Sequence, residues 1–304
     1  MCDSECYRIS AHYPLFKNLI EKLVIEIKSI FPTDENEKEL VKFIARYQYL
    51  ASKDLQFFSN STYYPKRITR LVKNSILKRY GKYLVLGENG YNYIEILGQK
   101  KVQRNYNKTY VERLKFISHL AALYHKYKFI TFTPSFEIKD KTVFTESSRK
   151  YIGVLSMSGI KYLIYHISKK HSQKYISSVI YDLQKENQYK NVIVLINDIN
   201  RINLRDFIFG LHSVILCEDT DESLEKLKYL NQVNWNKCIY TLYKKNVHLS
   251  EYNFCDYTDK NHKYISYFYF IDTEKVNRID NFLKNNLSKK VDIICEENIF
   301  EFLR

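Results

Sequence analysis

The spacing of apolar residues changes once along this 304-residue chain, near residue 127, and that change limits the folds open to it. Before it, apolar side chains recur at three- and four-residue steps, the period of amphipathic helices. Phe16, Ile20, Leu23, Ile27 and Ile30 mark a helix over 13–31, which Pro32 stops. Thr33 or Asp34 can cap a second helix, with Leu40, Val41, Ile44 and Tyr47 as its inner stripe. Its Glu35, Glu37 and Glu39 suit the positive end of the helix dipole. Ser52 begins a short helix ending near Phe58, and a third helix runs over 62–74 with Ile68, Leu71 and Val72 inward. The stretch 76–86 reads as two strands turning at Gly81, and 91–97 as a closing helix, with an Asn-Gly hairpin as the alternative. A long helix over 108–127 follows, with Val111, Leu114, Ile117, Ala121 and Tyr124 on one side.

Beyond residue 127 short apolar runs alternate with helical patterns. Strands are expected at 129–138, 151–157, 161–167, 192–197, 214–217, 238–242, 264–271 and 291–295. Helices are expected at 171–186, 204–211, 222–230 and 274–285. Strands alternating with helices indicate an α/β domain. The fold class expected is therefore α/β overall, with a helical N-terminal domain at 1–105 and an α/β domain at 106–304, the other position for the boundary being the far end of the 108–127 helix. Seven glycines and four prolines exclude a loop-dominated or low-complexity chain.

Charge is divided unevenly along the chain. Residues 1–150 carry 27 basic and 15 acidic groups, a net +12, and residues 151–304 carry 21 and 19, a net +2. A lysine-rich coding bias would act on both halves, so the asymmetry assigns polyanion binding to the first. The six cysteines form no C-x-x-C pair, and no secretory leader opens the chain, so reduced thiols and a cytoplasmic location are expected. Cys2 and Cys6 lack a second pair to complete a metal site. No apolar run is long enough to span a bilayer.

Helix, short helix, helix and two-stranded ribbon over 35–86 is the order of a winged helix-turn-helix. In that arrangement the third helix presents its outer face to the major groove and the ribbon lies along nearby phosphates. Between Ser61 and Lys82 stand Lys66, Arg67, Arg70, Lys73, Lys78, Arg79 and Lys82, with no acidic residue among them. Arg67 and Arg70, three apart, share a helical face and are expected to read bases. Ser61 and Thr62 can donate to a phosphate at the helix N-terminus. Tyr63 is expected to touch bases or sugar. These ten residues are the expected DNA-binding site, with double-stranded DNA as the partner.

Three stretches carry a resemblance to a known family: Glu39-Leu-Val-Lys-Phe-Ile-Ala-Arg-Tyr-Gln-Tyr-Leu-Ala-Ser-Lys-Asp-Leu, Arg67-Ile-Thr-Arg-Leu-Val-Lys-Asn-Ser-Ile-Leu-Lys-Arg, and Leu86-Gly-Glu-Asn-Gly-Tyr. Together with the helix after them and the α/β region beyond, they resemble the replication-relaxation family of plasmids, phages and conjugative elements. The resemblance covers 35–125 and reaches the rest only in outline. It implies sequence-specific DNA binding in plasmid replication or its control, with replication or conjugation proteins as partners. It also implies a restriction-endonuclease-like core in the second domain.

Such a core holds its metal with an Asp at one strand and a Glu/Gln-x-Lys on the next. The matching stretches, Tyr151-Ile-Gly-Val-Leu-Ser-Met and Lys161-Tyr-Leu-Ile-Tyr-His-Ile-Ser-Lys-Lys, hold no carboxylate. A Mg²⁺ ion needs charged oxygen ligands, so a nuclease-like core here is expected to be degenerate, without metal or catalytic residues. No P-loop, G-x-G-x-x-G or H-E-x-x-H is present, and no cofactor is expected. His166, Lys169, Lys170 and His171 read as a strand end and helix cap, and Asp219, Asp221 and Glu222 as a helix start. The alternatives are a transcription regulator, which differs only in where its site lies, and a metal-dependent nuclease or relaxase-like enzyme. The apolar stripes of 13–31 and 108–127 each offer a seam for a homodimer.

Overall fold

The structure is a computed structural model that describes residues 31–32, 34–58, 64–99, 107–139, 150–186, 189–198, 201–207, 213–230, 247–259, 261, 263–268 and 270–295. The expected helix over 13–31 and the expected strand at 238–242 lie outside the described residues, as do Cys2 and Cys6. The chain is mixed α/β, with three sheets among the described residues, and divides into two compact units at Lys126 and Tyr127.

In the first unit, helix α1 (Glu35–Tyr47) starts at Asp34, whose side chain accepts from the Glu37 amide at 2.9 Å. It buries Leu40, Val41, Phe43, Ile44 and Tyr47. It ends where Gln48 turns left-handed (φ 68°) and donates to the Ile44 carbonyl. Strand β1 (Leu50–Ala51) and a 3₁₀ turn (Ser52–Phe57) lead to helix α2 (Tyr64–Lys73), which buries Ile68 and Leu71. Strands β2 (Leu77–Tyr80) and β3 (Tyr83–Leu86) pair antiparallel, joined by Gly81 and Lys82. Gly81 is left-handed (φ 57°) at the first central position of this two-residue turn, which matches the right-handed twist of the strands. β1 pairs with β3 at Leu50↔Leu84 and Ala51↔Tyr83, giving a three-stranded sheet of order β1-β3-β2.

Helix α3 (Glu88–Ile96) begins three residues earlier than its apolar pattern and excludes the Asn-Gly hairpin alternative. Its start lies hard against the turn that leaves α2. The Gly87 amide donates to the Ile76 carbonyl at 2.8 Å, and Asn89 Nδ2 donates to the Asn74 carbonyl at 2.9 Å. Helix α4 (Lys108–His125), capped by Asn107, buries Leu114, Ile117, Leu120 and Leu123. Its Ser118 hydroxyl donates to the Tyr49 carbonyl, and His119 Nδ1 lies 3.0 Å from Oδ1 of buried Asp54 in the 3₁₀ turn. These buried polar contacts place α4 in the first unit, so of the two ends of this helix it is the far one that divides the compact units.

The second unit is built on a six-stranded sheet. Strands β4 (Ile130–Pro134), β5 (Gly153–Met157) and β6 (Ile160–Ile167) form an antiparallel meander. β7 (Asn191–Ile196) and β8 (Ser213–Glu218) continue it in parallel, and β12 (Ile271–Asp272) closes it antiparallel. The expected strand at 129–138 stops at Pro134, which has no amide to donate, and a one-turn helix α5 (Ser135–Lys139) follows. Helix α6 (Gln173–Gln184) connects β6 to β7, a 3₁₀ turn (Leu204–Phe207) lies between β7 and β8, and helix α7 (Asp221–Leu227) follows β8. One face of the sheet packs Leu163, Tyr165, Val192, Val194, Val214 and Leu216 against Ile176, Val179 and Leu183 of α6 and Ile279 of helix α8 (Thr273–Asn285).

Strands β9 (Val247–Leu249), β10 (Tyr257–Asp259), β11 (Tyr264–Phe268) and β13 (Val291–Cys295) form a four-stranded sheet that completes the unit. Their order is β13-β11-β10-β9. The expected strand at 264–271 is thus two pieces, one in each sheet, with β11 ending before β12 crosses to pair with β8.

The glycines of the first unit separate two kinds of constraint. A Cβ at Gly90 would stand 2.2 Å from the Ile76 carbonyl oxygen, whereas one at Gly81 meets nothing within 4 Å. Gly90→Ala is expected to destabilise the unit by about 1–3 kcal/mol through overpacking. Gly81→Ala is expected to cost only the ~1–2 kcal/mol of a left-handed alanine and to leave the α3 packing intact. Denaturant titration read together with hydrogen exchange in α3 checks both: only Gly90→Ala speeds exchange there by more than the loss of global stability accounts for.

Candidate functional site

Helix α2 and the β2–β3 hairpin bring most of the sequence-selected cations to the surface of the first unit, and they sort these cations into two sets. Ile68 and Leu71 fix the rotation of α2 by facing the core. Pro65, Lys66, Thr69 and Lys73 are then exposed, while Arg67 and Arg70 lie on the flank and are half-buried. Arg67 Nη1 stands 2.5 Å from Asp34 Oδ2. The Arg70 guanidinium pairs with Glu37, whose side chain is only 2% exposed.

The arginines expected to read bases are therefore engaged by carboxylates at the start of α1. The run 61–82 contains no acid, but its neutralising acids arrive from residues 34 and 37 through the fold. Asp34 caps α1 and Glu37 lies in its first turn, so both carboxylates stand where the helix dipole favours negative charge. Ser61, Thr62 and Tyr63 lie outside the described residues.

The hairpin is the second cationic element. Leu77 anchors β2 in the core, and from Lys78 through Lys82 every residue is exposed, so Lys78, Arg79 and Lys82 project around the turn. Tyr80, 48% exposed, lies beside them with its ring 6.2 Å from that of buried Tyr49. Lys115 of α4 reaches over the Tyr83 ring at 4.6 Å. Burial alone lowers the Lys115 pKa, but its hydrogen bond and Coulomb attraction to Glu112 outweigh this and hold the ammonium above its ordinary range. Burial pushes the Tyr83 phenol up, against the pull of Lys115. The surface thus combines Lys66, Lys73, Lys78, Arg79 and Lys82 with an aromatic base.

A separate polar cluster sits in the second unit at the carboxyl ends of β6, β7 and β8. His166 Nε2 lies 2.9 Å from Asp219 Oδ2, and Asn197 Nδ2 donates to the same oxygen at 2.7 Å. The His166 and Asp219 side chains are 13% and 12% exposed. Arg201 ties the loop after β6 by donating to the carbonyls of Ser168, Lys169 and His171. His171 stacks on Tyr175, with ring centroids 3.8 Å apart. One carboxylate thus holds donors from two neighbouring strand ends. The pairing of His166 with Asp219 escapes a reading of either segment alone, because the partners are 53 residues apart. Asp221 and Glu222 remain in the first turn of α7, which Thr220 caps. Burial raises the Cys217 thiol pKa above its ordinary value, which disfavours the reactive thiolate. Among the described residues, no group of three or more His, Cys, Asp and Glu is placed to hold a metal ion.

The two arginine pairs differ in what their loss does. Arg70→Ala takes the guanidinium from a buried carboxylate and is expected to destabilise the first unit by about 3–5 kcal/mol. Arg67→Ala breaks a solvent-screened pair and is expected to cost no more than ~1 kcal/mol. Urea denaturation checks this, and a second variant, Arg70→Ala with Glu37→Gln, is expected to recover part of the loss because the buried charge is gone. No protein-family model, no curated protein and no solved structure matches the chain.

Proposed function

We propose that the first unit is a winged helix-turn-helix that binds double-stranded DNA in a sequence-specific way. The observation that carries this reading is the exposed cationic surface of α2 and the β2–β3 hairpin. The order of helix, short strand, 3₁₀ turn, helix and hairpin, with β1 closing the sheet on β3, supports it. A ten-residue helix is about 15 Å long, and it can lie in a major groove about 12 Å wide while a neighbouring hairpin reaches the backbone. Lys78, Arg79 and Lys82 then neutralise phosphates, and exposed side chains of α2 face the bases.

In this reading the protein is a DNA-binding protein of a mobile element that acts in plasmid replication or its control. The biological setting rests on the replication-relaxation resemblance of the quoted stretches alone. The second unit serves self-association or contacts with replication or conjugation proteins, and it is non-catalytic. Its β5 and β6 segments hold no aspartate or glutamate that could retain Mg²⁺ as a nuclease core would. No helix among the described residues is long and apolar enough to cross a membrane.

Selection from random duplex DNA is expected to enrich a motif, and binding no tighter than to random sequence defeats the proposal. With the selected site, the Lys78→Ala/Lys82→Ala variant is expected to flatten the plot of log affinity against log salt by about 1.8, two phosphate contacts at ~0.9 each. An unchanged slope removes the hairpin from the interface. Plasmid DNA incubated with the purified protein and Mg²⁺ or Mn²⁺ is expected to stay uncut, and nicking that co-purifies with the protein overturns the non-catalytic reading.

A further inference from the structure

We infer that Thr69 is a specificity-determining residue that recognises the 5-methyl group of a thymine in the major groove. The inference rests on the DNA-binding reading above and names the base that reading leaves open. Among the described residues of α2, the exposed positions are Pro65, Lys66, Thr69 and Lys73. Thr69 stands three residues after Lys66 and four before Lys73, so the three side chains share one face. Flanking lysines supply charge that any phosphate satisfies, and the uncharged side chain between them is left to discriminate.

The orientation of Thr69 selects the chemistry. Its hydroxyl donates to the Pro65 carbonyl at 3.0 Å, one turn back along the helix. The single hydroxyl proton is thereby used within the helix, which leaves the γ-methyl as the apolar contact and the oxygen as an acceptor only, a role that Thr69→Ser retains. A methyl directed into the major groove meets an apolar match in only one base, because thymine alone presents a methyl there. Arg67 and Arg70, the residues otherwise suited to guanine, hold Asp34 and Glu37 instead.

The test uses the full chain and the duplex obtained by selection, with each thymine replaced in turn by deoxyuridine, which pairs identically but lacks the methyl. At one position the replacement is expected to weaken wild-type binding about fourfold, the ~0.8 kcal/mol of one buried methyl converted at 1.36 kcal/mol per tenfold. Thr69→Ser keeps the hydroxyl bond to Pro65 and loses the methyl, so it is expected to bind both duplexes alike. Thr69→Val keeps the methyl and is expected to restore the fourfold difference. Wild-type indifference to every replacement, or equal sensitivity in Thr69→Ser, overturns the role of Thr69 while DNA binding stands. Failure to enrich any motif overturns the DNA-binding reading itself.

Discussion

A carboxylate buried at the start of α1 determines how the first unit presents α2. Glu37 is nearly inaccessible, and a charge removed from water requires a partner of opposite sign close by. Arg70 supplies it, and Arg67 repeats the arrangement one turn earlier with Asp34, nearer the solvent. The two pairs join the amino end of α1 to one flank of α2, while Ile68 and Leu71 bury its inner side. With flank and inner side both committed, Lys66, Thr69 and Lys73 are what remains exposed. The surface composition of α2 is thus a by-product of how its core and ion pairs are satisfied.

The hairpin is held by a different device. β1 has only two residues, yet it pairs with β3, and the Ser52 amide and hydroxyl both donate to the Lys82 carbonyl at the hairpin turn. The cationic loop is thereby tied to the start of the 3₁₀ turn, whose Asp54 is in turn held by His119 of α4. A tight two-residue turn and these ties keep several like charges together on one small projection. The mutual repulsion of such a projection would be relieved by a polyanion, which is the physical sense in which its shape and its charge agree.

Hydrophobic period made much of this fold legible. Helices α1, α2 and α4 and strands β5, β6, β7 and β13 start and stop within a few residues of where their apolar spacing and capping side chains place them. Gly81 marks the hairpin turn that left-handed Gly favours, whereas apolar period carried the strand at 129–138 four residues past its end at Pro134. Long-range pairing was not legible. Arg70 and Glu37 are 33 residues apart, His119 and Asp54 are 65 apart, and no window of local sequence contains both members of either pair. The acid-free run 61–82 therefore carries in its sequence no sign of the acids that pair with its arginines. That Thr69 shares a face with Lys66 and Lys73 follows from spacing alone, but its hydroxyl bond to the Pro65 carbonyl exists only in the folded helix. β9 and β10 have three residues each, too few for alternation to register.

The arginine pairing has a consequence for how a DNA-binding reading divides affinity from specificity. Bidentate arginine–guanine contacts contribute roughly 1–3 kcal/mol of discrimination each, and while Arg67 and Arg70 hold their carboxylates they are not available for such contacts. On the proposed duplex, lysines on α2 and the hairpin would add affinity that is largely indifferent to sequence and sensitive to salt. One such module would then bind mainly through charge, with modest base discrimination. Two modules on one duplex would add their discrimination and restrict it to half-sites spaced about one helical turn, roughly 34 Å. Self-association through the second unit would supply that pairing while adding little non-specific attraction to DNA, since residues 151–304 carry a net charge of only +2.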